Sequence, residues 1–175
     1  MKKITFLFLA AFLGLSLNIH AQSAVDKIFN KYNGTAGFTS VTMNKAMFEM
    51  ISRMDASEDG KEFREAVSKL ESIRILAMDS VNSGGINLYE LVMKTLPVKD
   101  YKELMTVKEN GADVKFMIRE KGDIITELLL IAGGRNEENA LIVITGEIDL
   151  ASIGSIAKNM HIDGLDQLHK LKEKK

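Results

Sequence analysis

Between Tyr101 and Ile148 the chain alternates β-prone runs with short turn signals, and this rhythm constrains the fold more than any other feature. "YKELMTVKE" leads through Asn110-Gly111, a strong hairpin signal, into "DVKFMIRE". Lys121-Gly122-Asp123 turns the chain into "IITELLLIA", and "GGRNEEN" turns it into "ALIVITGE". Strands joined by such short connections run antiparallel, so the segment predicts a four-stranded meander. Within "DVKFMIRE", Val114, Phe116 and Ile118 alternate with Lys115, Met117 and Arg119, as in a strand with one wet face. The last two runs are apolar at nearly every residue, which places them centrally under helices.

Upstream, helical and extended signals alternate. Ser23 can cap a helix in which Asp26 completes a capping box, with Val25, Ile28, Phe29 and Tyr32 on one face. Asn33-Gly34 ends it. "GFTSVTM" is β-prone, and "SIRILAMD" reads as a strand. Between them lie a methionine-rich helix, a break at "DASEDG", and a helix with Phe63, Ala66, Val67 and Leu70 on one side. Asn87 with Glu90 forms a further capping box, and Pro97 stops that helix after Leu96. Beyond the meander, Asp149 caps a helix with Leu150, Ile153, Ala157 and Met160 inward, stapled by Ile148 and Ile153. A last short helix uses Leu165, Leu168 and Leu171 before the basic tail "KLKEKK". The expected fold class is α+β: an antiparallel sheet with a C-terminal four-stranded meander, and helices packed on the sheet.

The N-terminus reads as a cleaved signal peptide over residues 1–21. Lys2 and Lys3 precede an uncharged apolar region, Ile4 to Leu17, and "NIHA" supplies a cleavage point at Ala21. The apolar run falls short of a bilayer span, and "IITELLLIA" is short and carries Glu127, so no membrane span is expected in the mature form. Removing 21 of 175 residues leaves 154, the size of one α+β domain over 22–175. Two lysines leave with the leader, taking 23 basic residues to 21 against 24 acidic, a net charge of −3. With no basic block, nucleic acid is not an expected partner. The chain has no cysteine, hence no disulfide framework and no lipidation thiol. A periplasmic or secreted location follows.

Several short patterns imitate chemistry. Asp55, Ser57, Asp59 and Gly60 match the first half of a calcium loop, but Ala66 stands where the bidentate glutamate belongs, and Asp59 with Glu62 is better read as a helix cap. Ser155 and Lys158 match S-x-x-K, and Ser80 mimics a second element of acyl enzymes. The order is reversed and no K-T-G follows. His161, Asp163, Asp166 and His169 match no zinc spacing, and Asp163 reads as a cap. "AGG" at 132–134 opens a polar turn and not a helix, so it lacks the geometry of a phosphate cradle. Arg135, Glu137 and Glu138 occupy the longest polar turn, where a partner could dock on rigid hairpins. No catalytic, cofactor-binding or metal residue is assigned from these patterns.

Met43, Met47, Met50 and Met54 recur at helical spacing. With Asn44 as N-cap, Met43 lies outside the helix and staples against Phe48. Met47, Met50, Ile51 and Met54 then form an apolar face, expected to pack in the core. Thioethers would suit copper(I), but no histidine or cysteine lies near.

"NALIVITGEIDLASIGSIAKNM", with the signal peptide, the opening "VDKIFNKY" and the strand "SIRILAMD", resembles a family of exported Bacteroidota proteins catalogued as domain of unknown function 4252. The resemblance implies an envelope location and an α+β fold, carries no catalytic residues to transfer, and suggests a link to envelope signalling. The expected function is therefore a non-enzymatic module that binds another envelope protein. A carrier of lipid or small apolar ligands, and a hydrolase whose site is assembled from distant residues, are the alternatives.

Overall fold

The structure is a computed structural model that describes residues 24–54, 61–78, 86–109, 112–134, 139–150 and 153. Helix α1 (Ala24–Tyr32) leads into strand β1 (Phe38–Asn44), followed by α2 (Lys45–Met54), α3 (Lys61–Ser68) and β2 (Leu70–Met78). Helix α4 (Leu88–Thr95) and a 3-10 turn (Val98–Asp100) precede β3 (Lys102–Glu109), β4 (Ala112–Lys121), β5 (Ile124–Gly134) and β6 (Asn139–Ile148). The segments read as a signal peptide and as a last short helix fall outside the described residues.

Local signals set the ends of these elements. Gly34 takes a positive φ of 73° just past α1, where only a residue without Cβ turns cheaply. The Asn44 side chain accepts from the Met47 amide at 3.3 Å, and the Asn87 side chain accepts from the Glu90 amide at 3.0 Å, so both expected caps form. The Leu96 amide closes α4 on the Val92 carbonyl before Pro97. At the far end of β6, the Ile153 amide bonds the Asp149 carbonyl, and Ile153 joins Ile148 in one apolar cluster, as the staple requires.

All six strands form one antiparallel sheet in the order β1-β2-β6-β5-β4-β3. The meander β3 to β6 is present as expected, and the two apolar strands β5 and β6 lie at the centre of the six-stranded sheet. The antiparallel partners β1 and β2, separated in the chain by α2 and α3, extend the sheet beyond β6. Gly146 permits a bulge opposite Leu70 (φ 137°), where a Cβ would sit 2.4 Å from the Lys69 carbonyl oxygen.

The sheet has a core on each side. Phe48 of α2 and Val67 of α3 pack with Ile73, Phe116, Ile118, Leu128, Leu130, Ile142 and Ile144 on one face. On the other, the predicted face of α1 (Val25, Ile28, Phe29, Tyr32) and Leu88 and Val92 of α4 pack with Leu76, Met117, Leu129, Ile131, Leu141 and Val143. Neighbouring residues of β5 therefore serve opposite cores, which is why the strand is apolar without alternation.

Two expectations are corrected. The second face of β4 is not wet: Met117 is 1% exposed, because it belongs to the core built by α1 and α4. The methionine face does not point inward either. Phe48 is 1% exposed, whereas Met47 is 40% and Met50 is 50% exposed. The buried stripe runs through Phe48 and Ile51, rotated by roughly 80° from the expected one at 100° per residue. Phenylalanine carries the larger apolar surface and takes the inner position. The side chain of Met54 lies outside the described residues.

Candidate functional site

Burying a charge requires a partner, so the lone carboxylate in "IITELLLIA" is the first place to look for assembled chemistry. Glu127 is 6% exposed, and β4 places Arg119 directly opposite it in register. The guanidinium approaches the carboxylate at 3.2 Å. Tyr101, 7% exposed and just ahead of β3, donates its hydroxyl to the same carboxylate oxygen at 3.0 Å and accepts a hydrogen bond from Arg119. Arg119 also lies over the Tyr101 ring, 4.5 Å from its centroid. Burial, and then the negative charge of Glu127, push the Tyr101 phenol well above the usual tyrosine range.

A phenol so held is a donor at neutral pH and a poor base. The triad thus ties β4 and β5 to the lead-in of β3. The same device recurs on this face, where Arg74 bonds Asp26 at 2.7 Å and lies 4.7 Å from the Phe29 ring, joining β2 to α1. Farther along β4, Lys115 holds Glu103 of β3 at 2.8 Å, and that hydrogen bond keeps the Glu103 carboxyl below its ordinary range. Solvent screens this outer pair.

The other candidate is the uncovered side of α2. Met47 and Met50 are neighbours at i and i+3 on its exposed surface. Val41, 42% exposed, shares with Met43 the sheet face on which α2 lies. Methionine is flexible and polarizable, so such a surface adapts to partners of irregular shape. The sequence showed the methionines but not their outward turn, since spacing alone does not say which of two adjacent apolar stripes is deeper. For the triad the signal was Glu127 itself, a carboxylate in an otherwise apolar strand.

The other sequence-level candidates fall outside the described residues: the calcium-like loop Asp55, Ser57, Asp59 and Gly60; Ser80; Arg135, Glu137 and Glu138; Ser155 and Lys158; and His161, Asp163, Asp166 and His169. Ala66 is described, and it packs at the edge of the α2/α3 core. Among the described residues, no group of three or more His, Cys, Asp or Glu is placed to hold a metal ion, and no helix is long and apolar enough to cross a membrane.

Compared with known proteins, residues 32–156 match the family model described as "Domain of unknown function (DUF4252)". No curated protein and no solved structure matches the chain.

Proposed function

The chain belongs to the DUF4252 family, and from that premise we propose that it is an exported, non-enzymatic module that binds another protein of the cell envelope. The observation that carries the reading is the exposed pair Met47 and Met50 on a helix anchored by Phe48. Exposed apolar side chains grouped on a rigid element mark interaction surfaces more often than isolated ones do. Export rests on Lys2, Lys3 and the apolar run Ile4 to Leu17, and a cysteine-free chain suits an envelope compartment of any redox state. The polar triad contributes rigidity on this reading, since its phenol and carboxylate are engaged with each other.

The test is capture from envelope extract with the wild-type protein and with the Met47→Glu/Met50→Glu double variant, compared by mass spectrometry. Specific proteins retained by the wild type and lost with an equally folded double variant are expected. Identical retention by the two proteins would count decisively against the methionine surface.

A further inference from the structure

Among the described residues the sheet ends in two edge strands, β1 and β3, and they are treated very differently by the sequence. An edge presents a row of backbone N–H and C=O groups to any passing strand, and proteins guard such rows with charges, proline, bulges or short length. Strand β3 is guarded: its sequence carries Lys102, Glu103, Lys108 and Glu109, and its pairing with β4 is broken by an irregularity between Glu103 and Met105. Strand β1, "FTSVTMN", has no charge and no proline, spans 7 residues, and pairs with β2 without interruption from Phe38↔Met78 to Asn44↔Ser72. Its central residue, Val41, is 42% exposed.

We propose that β1 is the interface for a second copy of this chain, pairing antiparallel with its own equivalent about a two-fold axis at Val41. In that register Val41 faces Val41, Ser40 faces Thr42, Thr39 faces Met43 and Phe38 faces Asn44, so all residues of the strand are paired and each stays on its own side of the sheet. A strand without charge meets no like charge when placed opposite itself. Ser–Thr is a favourable cross-strand pair, and Val41 meets an apolar side chain in its own equivalent. A foreign strand would find no charge on β1 to select it, whereas a second copy brings an equally uncharged strand of the same length. The arrangement also closes: each copy uses its one unguarded edge, and the assembly presents only the guarded β3 strands at its two ends, so growth stops at two. Because paired strands continue one sheet, both α2 helices lie on the same side. The two Met47–Met50 surfaces then face the same way, and a partner of the methionine face would meet two copies of it.

The chain has no cysteine, so Val41→Cys introduces a single thiol. Directly opposed residues of an antiparallel pair have Cα atoms about 4.5–5.5 Å apart, within reach of a disulfide. Oxidation of the purified Val41→Cys protein at micromolar concentration is expected to give a covalent dimer. The Ile124→Cys protein, with a slightly more exposed site (48%) at the start of β5, is expected to stay monomeric. Sedimentation should give twice the chain mass for the wild type and the chain mass for Val41→Lys, with the same circular dichroism spectrum. A monomeric wild type would overturn the proposal, as would a Val41→Lys protein that remains dimeric, or equal cross-linking at both cysteines. A monomer that takes up an extended peptide at β1 would also overturn it. Neither mass nor cross-link depends on Met47 or Met50, so this result and the envelope-capture result fail independently.

Discussion

Glu127 can be buried inside the sheet because two neighbours meet it: Arg119 supplies an opposite charge and Tyr101 a hydroxyl. A buried carboxylate left without its charged partner would face a desolvation cost of several kcal/mol. Tyr101 adds a pH dependence of definite sign. Its folded pKa is raised by burial and by Glu127, so the unfolded chain releases this proton first as pH rises. The resulting stability is fully present below the unfolded tyrosine pKa of about 10 and is lost as pH climbs through the folded value. The urea midpoint should therefore fall above pH of about 10 more steeply in the wild type than in Tyr101→Phe, which has no phenol to ionise at that position. Parallel curves for the two proteins would contradict the coupling.

Elements in this chain are positioned by single close contacts. Helix α2 starts directly after β1, its cap Asn44 being the last strand residue, and Phe48 sets its rotation. Helix α4 lies against the end of β5 at Gly133, where an added Cβ would come 2.6 Å from the Tyr89 Cβ and 2.4 Å from the Asn139 Oδ1. The first of these neighbours is fixed to the helix backbone and has little freedom to move. Gly133→Ala should consequently lift α4 from the sheet and cost about 1–3 kcal/mol, the range for overpacking a tight contact. A urea titration with the midpoint unchanged would show that the helix tolerates the extra carbon.

The sheet is a wall shared by two cores, and this links the two helix pairs across the whole molecule. Leu128 and Leu129 are adjacent in β5, fully buried, and belong to the opposite clusters. Truncating either to alanine should cost about 2–5 kcal/mol and lower one common transition, because the strand that loses support on one face is the floor of the other. Unfolding of Leu128→Ala and Leu129→Ala would be followed by circular dichroism and by tyrosine fluorescence. Two separated transitions in either variant would mean that the faces fold independently.

The sequence by itself determined the strands of the meander, the turn after α1, the caps at Asn44 and Asn87, and the central place of the two most apolar runs. Each of these is decided within a few residues, by φ preference, by a side chain reaching its own helix, or by an apolar count. It also placed the chain near its family through the segment that contains β6. Tertiary structure alone decided that β2 lies beside β6, that Met117 is covered, that α2 turns Met47 and Met50 outward, and that Arg119 and Tyr101 converge on Glu127. Those outcomes depend on which distant side chain fills a given volume or neutralises a given charge. Periodicity says that a stripe is apolar; only the partner it meets says whether it is core.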